Sequence, residues 1–219
     1  MLTASRPAPP ERTPRDVLHG PISSAPATPL IRLELAGPHT RIHAVLCLAC
    51  PHGPAGCCAA PPAVAWADIG RIASLGGAAW LLHEIAEGRL RPSPRGLAIL
   101  RVPPADVEGR PFPGRCVYLG PRGCTIAPER RSATCNYYVC DEALAPEGAP
   151  AATVRAAHAA HETLMDLYAH GDLTIADEVT ATWPDGPPWD EPFLAWLATR
   201  YERLLHRKRR LLRPLQPSR

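Results

Sequence analysis

Cysteine is the residue type whose spacing in this chain most clearly indicates chemistry. All eight cysteines fall into two tight clusters. Thiolates are soft, strong donors, and four of them complete a tetrahedral zinc site or the four iron corners of a cubane cluster. The clustering therefore predicts a metal centre. The candidate ligands are Cys47, Cys50, Cys57 and Cys58 in the upstream cluster and Cys116, Cys124, Cys135 and Cys140 in the downstream cluster.

Redox thiols and disulfides are two other uses of clustered cysteines, and both depend on the cellular compartment. The start of the chain, MLTASRPAPPERTPRD, has no apolar segment typical of a secretory signal. No apolar run approaches the roughly 20 residues that span a bilayer. These observations predict a cytoplasmic protein without a membrane partner. Because a reducing cytosol keeps thiols free unless they are catalytic or metal-bound, metal ligation is favoured over redox thiols and over disulfides.

The charge of the chain gives little indication of a nucleic-acid partner. The net charge is only +3, and it does not indicate a general nucleic-acid-binding surface. The basic segment 200–213 is typical of the solvated end of an amphipathic helix, where arginines suit the helix dipole. Docking of this segment on nucleic acid or on acidic lipid is the alternative hypothesis.

The adjacent pair Cys57 and Cys58 limits how the thiols can be grouped. Neighbouring residues in an extended segment point in opposite directions, so both seldom bind one small ion. They would more easily serve different metals, different irons of one cluster, or one ligand and one supporting thiol. Eight thiols with such a pair favour an iron–sulfur cluster over zinc, which stays the alternative. Arg130 and Arg131 are candidates for tuning an anionic cluster, although surface arginines explain them equally well.

The segments around the cysteines predict short strands and helices. Residues 30–35 and 41–46 alternate in polarity about Gly37 and indicate a hairpin or two short strands. Residues 66–85 carry apolar side chains at helical spacing around Gly76 and Gly77, which predicts two short helices whose tryptophans pack in the core. Residues 97–102 predict a strand.

The downstream cluster predicts its own local structure. The sequences CVYLG and CTI flank a glycine-rich turn and predict a strand, a turn and a second strand. Pro128 then begins a short helical turn that leads to Cys135.

The last third of the chain predicts two longer helices. Residues 151–170 have high helix propensity and an apolar side, with Gly171 as the expected stop. Residues 192–212 form a second amphipathic pattern, expected to pack on the first helix or on the cysteine-rich part. The predicted class is α+β: a disordered proline-rich lead-in at residues 1–28, a small metal-stabilised cysteine-rich domain at 29–145, and a helical C-terminal extension at 146–219.

The order of these motifs resembles one protein family. The loop CLACPHGPAGCC, then WADIGRIASL, then CVYLGPRGCTIAPERRSATC closely resemble the YkgJ-type cysteine-cluster proteins, described as a zinc- or iron-chelating domain and related to flagellin lysine N-methylases. The resemblance covers under half the chain and implies metal ligation by its cysteines, least securely by Cys140. The chain departs from the family pattern at Ser132, where the family has proline, and in its longer first loop.

Histidines offer further candidate ligands. His52 lies within the first cysteine loop and could replace a thiolate. His158 and His161, with Glu162, have a spacing on their helix compatible with shared metal binding, although a solvated or capping role is favoured.

Three functional hypotheses follow. The first is a metal-binding module with a structural or metal-handling role. The second is an enzyme, either a methylase-like modifier of protein lysines or a cluster-dependent redox or sulfur-transfer protein; it requires an open metal position or an exposed thiolate beside a cleft. The third is an interaction protein that uses the basic C-terminal helix. Both cysteine clusters are expected to meet in space around a common centre.

Overall fold

The computed structural model describes residues 30–107, 110–112, 114–144 and 149–217. Its longer elements are the helices α1 (Trp66–Ser74), α2 (Ala78–Ala86), α3 (Ala133–Tyr137), α4 (Asp141–Leu144), α5 (Ala151–Thr182) and α6 (Glu191–Lys208). The proline-rich lead-in predicted for residues 1–28 lies outside the described residues. None of the helices in the described ranges has the length and apolar character needed to cross a membrane.

Helix α1 lies at the centre of the packing. Residues 66–72 are buried on every side, and the helix packs against α6, α5 and α2. The approach to α6 is close because Gly70 has no side chain: a Cβ there would lie 2.7 Å from the carbonyl oxygen of Leu197. Gly76 has a positive φ of 80° between α1 and α2, so the predicted pair of helices around a glycine break is confirmed.

Helix α5 corrects one prediction. It continues through Gly171 to Thr182, with Ile175 and Val179 buried beyond the expected stop. A Cβ at Gly171 would lie 2.3 Å from Cδ2 of Leu204. This glycine therefore serves the contact between α5 and α6 and does not end the helix.

Helix α6 carries the predicted apolar stripe. Phe193, Leu197, Tyr201 and Leu204 are buried, and the Asp190 side chain caps the helix by accepting from the N–H of Phe193 at 2.9 Å. The predicted end was four residues too far, because the helix stops at Lys208 and a separate 3₁₀ turn, Arg213–Leu215, follows.

The strands are short and form five antiparallel pairs in the described residues. They are β1 (Ile31–Glu34) with β2 (Arg41–Ala44), β3 (Leu90–Ser93) with β4 (Gly96–Ile99), β5 (Arg101–Val102) with β8 (Arg115–Cys116), β6 (Ala105–Val107) with β7 (Arg110–Phe112), and β9 (Leu119–Gly120) with β10 (Gly123–Cys124). The mixed α+β class is confirmed, as is the first hairpin. Stabilisation of this fold by metal stays a prediction.

Two strand predictions need refinement. The strand expected over residues 97–102 is divided at Leu100, because β4 pairs with β3 whereas β5 pairs with β8. The hairpin expected in the downstream cluster is β9 with β10, in which Leu119 lies opposite Cys124. Cys116 instead pairs with Arg101.

The buried apolar side chains form a continuous cluster that includes residues from α1, the strands, α5 and α6. The cysteine-rich part and the C-terminal helices therefore contribute to the same core. This core supports the loops that carry the cysteines.

Candidate metal centre

The two cysteine clusters lie around one cleft of about 810 Å³, here called the cysteine cleft. Six of the eight cysteines line it: all four of the upstream cluster, and Cys124 and Cys140 of the downstream cluster. Cys116 and Cys135 are not part of its lining, but both lie near Cys58, whose pKa their charges raise. The cleft is lined by Cys47, Cys50, His52, Pro54, Ala55, Gly56, Cys57, Cys58, Leu119, Gly120, Pro121, Arg122, Gly123, Cys124, Tyr138, Val139 and Cys140.

The upstream loop enters the cleft through two 3₁₀ turns, Val45–Ala49 and Gly56–Ala59. Gly56 has a positive φ of 49°, which glycine adopts at no steric cost. A Cβ at this position would also lie 2.9 Å from Sγ of Cys50. The glycine therefore lets the second turn close tightly over the Cys50 sulfur.

The adjacent thiols in the second turn differ in their electrostatics. A hydrogen bond from the Cys58 thiol lowers the pKa of Cys57 to about 6, against the opposing effect of burial. The same hydrogen bond, together with burial, raises the pKa of Cys58 far above its ordinary value. One hydrogen bond thus moves the pKa values of the two adjacent thiols in opposite directions.

The downstream thiols are carried by three different elements. Cys116 is buried in β8, which packs against the turn Gly56–Ala59, and Cys124 ends β10. The predicted helical turn is confirmed as the 3₁₀ turn Pro128–Arg130 followed by α3, which holds Cys135. Ser132 caps α3 by accepting from the N–H of Cys135 at 3.3 Å.

Mutual electrostatic effects show which thiols are neighbours. Although Cys135 keeps an exposed surface, desolvation by the surrounding protein atoms raises its pKa to about 11, and the charges of Cys124 and Cys116 add to this. Burial also raises the pKa of Cys47, and there the added charges are those of Cys57, Cys140 and Cys50. These effects associate the eight thiols in an inner group and an outer group, and the hydrogen bond between Cys57 and Cys58 joins the two groups. The inner group is Cys58, Cys116, Cys124 and Cys135, and the outer group is Cys47, Cys50, Cys57 and Cys140.

One mixed set of donors lies at the edge of the outer group. The ligand atoms of His52, Cys140 and Glu142 all lie within 4.8 Å of one another, the one such set of three in the described residues. His52 Nε2 is 3.4 Å from Glu142 Oε2. The sequence indicated His52 but not Glu142, whose one signal was its position two residues after Cys140.

The cysteine sulfurs lie along one cleft, but they are too far apart to surround a single metal ion. Around a tetrahedral zinc, Zn–S bonds of about 2.3 Å place sulfurs about 3.8 Å apart. No three cysteine sulfurs in the described ranges all lie within 4.8 Å of one another. Rotation of the side chains toward each group's centre would therefore accompany ligation.

A buried ion pair on α1 holds the segment that leads to Cys135. Asp68 and Arg71 lie 3.2 Å apart, with side chains only 5% and 2% exposed. Asp68 accepts from the N–H of Ala133 at 2.7 Å. Arg71 donates to the carbonyl of Glu129 at 3.1 Å and to that of Arg131. The pair thereby fixes both sides of the turn that precedes α3.

Arg131 connects this turn to the Cys124 loop. Its Nε donates to the carbonyl of Ile126 at 2.8 Å, and its Nη2 donates to the carbonyl of Cys124 at 3.4 Å. The neighbouring Arg130 instead lies over the ring of Trp80 at 5.7 Å. Of the two arginines considered as tuning residues, Arg131 is the one that touches a cysteine.

A second buried carboxylate supports the loop between Cys116 and Cys124. Glu84 on α2 accepts from the Tyr118 hydroxyl and from Arg89. The hydrogen bond from Arg89 lowers the pKa of Glu84, against the effect of burial, and Tyr118 lowers it further. Helix α2 thus fixes Tyr118 midway along the loop.

The histidines on α5 have another role. His161 Nδ1 lies 3.4 Å from the Tyr137 carbonyl oxygen, and its ring packs edge-on against Tyr137. His158, His161 and Glu162 form no set of three close donors among the described residues. The sequence favoured a solvated or capping role for these histidines, whereas His161 packs against Tyr137.

Comparison with family models, with curated proteins and with solved structures finds no match to this chain. What the arrangement can do chemically therefore follows from its own donors. Eight thiols and a histidine–carboxylate pair at one cleft can bind soft or borderline metal ions.

Proposed function

We propose that this protein binds an iron–sulfur cluster or zinc through its two cysteine clusters and has a structural or metal-handling role. One observation carries the proposal: six cysteines from two segments about sixty residues apart line the same cleft. Free cysteine is commonly buried as a small apolar residue. Here Cys47, Cys57 and Cys135 are exposed instead, which suits ligands better than core residues.

The elements that carry the thiols support the same proposal. Strands β8, β9 and β10 are two residues long, and an isolated two-stranded pair is marginally stable in water. Metal bound between such segments would stabilise them, because binding energy at a site that exists only in the folded state is folding energy. The resemblance to YkgJ-type chelating domains points to the same chemistry.

A second candidate function is a cluster-dependent enzyme, of the methylase-like or redox and sulfur-transfer kind. The volume of the cysteine cleft, about 810 Å³, falls within the roughly 300–1,000 Å³ of small-molecule sites. A metal with all ligand positions filled by protein supports the first function. A metal that keeps a position open to water or an added small ligand supports the enzyme.

The proposal is tested by metal and acid-labile sulfide analysis of anaerobically purified protein, with its absorption spectrum. Iron with equimolar sulfide and visible charge-transfer absorption identifies a cluster, whereas colourless protein with zinc identifies the alternative. The variant Cys47→Ser/Cys124→Ser should lose the metal, and His158→Ala/His161→Ala should retain it. A folded wild-type protein that takes up neither metal after reconstitution overturns the proposal.

A further inference from the structure

Three donors of different chemistry meet at the rim of the cysteine cleft. The ligand atoms of His52, Cys140 and Glu142 all lie within 4.8 Å of one another, and His52 Nε2 is 3.4 Å from Glu142 Oε2. Around a tetrahedral zinc, bonds of about 2.0–2.3 Å place nitrogen, oxygen and sulfur donors about 3.3–3.6 Å apart. The imidazole and the carboxylate therefore already have the separation expected of two ligands of one ion.

The short helix α4 fixes the position of Cys140 and Glu142. The carbonyl of Cys140 accepts from the N–H groups of Ala143 and Leu144, each at 3.0 Å. The side chains of Ala143 and Leu144 are buried, whereas that of Glu142 is 56% exposed. The helix packs against α5 and against the 3₁₀ turn Val45–Ala49. The core thus holds the backbone of two donors in place and leaves the carboxylate free to turn toward a ligand.

The upstream loop brings His52 to the same place. Gly53, directly after the histidine, has a positive φ of 86°, and its carbonyl accepts from the N–H of Gly56 at 3.2 Å. The chain therefore reverses its direction immediately after His52. The turn Val45–Ala49, which precedes this loop, is the one that packs on α4. Two segments that are distant in the sequence thus converge on one point.

An exposed histidine–carboxylate pair is not by itself a metal site, and a second such pair in the chain shows the difference. His43 Nε2 lies 3.5 Å from Glu34 Oε2, and the two side chains are 44% and 39% exposed. Two arginines also pair with Glu34, and no third donor completes a close set with this pair among the described residues. Cys140 supplies the third donor beside His52. Thiolate, imidazole and carboxylate are the three protein ligands that Zn²⁺ typically takes.

We propose that His52, Cys140 and Glu142 bind one zinc ion at the rim of the cysteine cleft and leave its fourth position open. Zinc with three protein ligands commonly keeps that position for water or another small ligand. His52 and Cys140 line the cleft, whereas Glu142 lies outside its lining, so the open position faces the cleft. This inference goes beyond the proposed function, because it needs none of the other seven cysteines.

Single substitutions test the site through the zinc, iron and sulfide content of folded chains dialysed against buffered Zn²⁺ that just saturates the wild type. His52→Ala, Glu142→Gln and Cys140→Ser should each lose the same one zinc ion per chain and keep the remaining metal. The double variant His52→Ala/Glu142→Gln should lose no more than that ion. The matched controls His43→Ala and Glu34→Gln should keep all metal, and circular dichroism verifies that each variant is folded.

Cobalt(II) in place of zinc tests the open position. The difference between the absorption spectra of wild type and His52→Ala isolates the cobalt ion held by His52. Added azide should shift this difference spectrum, because an anion can occupy a position that the protein leaves free. A difference spectrum that azide leaves unchanged would mean that the protein fills all ligand positions, and the open position would then be wrong.

The remaining outcomes separate this site from the proposed function. In Cys47→Ser/Cys124→Ser, which removes the metal of the thiolate centre, the zinc that depends on His52 should remain. If His52→Ala and Glu142→Gln lose no more zinc than the controls, or if His52→Ala also removes the iron and sulfide, the separate site is wrong while thiolate metal binding stands. Wild-type protein that holds only the zinc that depends on His52 supports this site and contradicts the proposed function.

Discussion

Asp68 accepts a hydrogen bond from the backbone N–H of Ala133 at 2.7 Å, although 65 positions separate the two residues. The same carboxylate pairs with Arg71, which donates to two carbonyls in the segment just before Ala133. A buried helix thus determines where the last inner thiol is placed. This contact connects the stability of the core to the geometry of the candidate metal centre.

Asp68→Asn should be strongly destabilising. Asparagine can still accept from Ala133, but it leaves the Arg71 guanidinium buried without its counter-charge, a loss of about 3–5 kcal/mol. Urea unfolding measures the change in the free energy of unfolding. The control is Glu34→Gln, which removes a carboxylate that is 39% exposed and pairs with Arg32, with an expected cost below about 1 kcal/mol. Equal losses in the two variants would show that the buried pair has no special role.

Arg131→Ala should weaken metal binding about 10- to 100-fold, as loss of the residues that orient metal ligands commonly does. The Arg131 side chain is the group that connects the Cys124 carbonyl to the turn before α3. Arg130→Ala is the matched control, because the adjacent guanidinium contacts Trp80 instead. Competition with a chromophoric chelator measures both affinities. If Arg130→Ala is the more damaging change, charge near the cysteines matters more than the hydrogen bonds to the loop.

The pattern of apolar residues predicted the elements whose signal is local. The first hairpin, the pair α1 and α2, and the stripe on α6 were all indicated by spacing within one segment. Long-range contacts were not predictable in this way. Asp68 and Arg71 are three residues apart on a helix and look like an exposed pair in the sequence, yet other segments bury them completely.

The candidate site shows the same difference between local features, which the sequence indicates, and long-range contacts, which it does not. The sequence indicated the eight cysteines and His52, because ligand chemistry is a property of residue type. It left the grouping of Cys57 and Cys58 open, since this depends on which strands and helices pack beside the turn. Glu142 was missed because a single carboxylate after a cysteine is common.

Gly171→Ala should destabilise the protein although the residue lies inside a helix. Helix propensity alone would favour alanine by about 1 kcal/mol. A Cβ there would lie 2.3 Å from Cδ2 of Leu204, and overpacking of this kind costs about 1–3 kcal/mol. Urea unfolding of Gly171→Ala, of Leu204→Ala and of the double variant gives the coupling free energy between the two positions. The double variant should lose less than the sum of the single losses, because truncation of Leu204 relieves the clash. Additive losses would mean that α5 and α6 separate easily at this point.

The contribution of Glu84 should depend on pH. Its pKa lies below the ordinary 4.5, chiefly because Arg89 donates to the carboxylate and also because Tyr118 does. A carboxylate with a lowered folded-state pKa stabilises the protein above its unfolded pKa, and this stability is lost as the pH falls through the folded value. The stability difference between wild type and Glu84→Gln should therefore be largest at neutral pH and should shrink below about pH 4.5. Urea unfolding at matched metal concentration measures it, with Glu87→Gln as the control, since Glu87 is 51% exposed and 3.5 Å from the same arginine. A difference that is constant with pH would show that Glu84 acts through its packing and not through its charge.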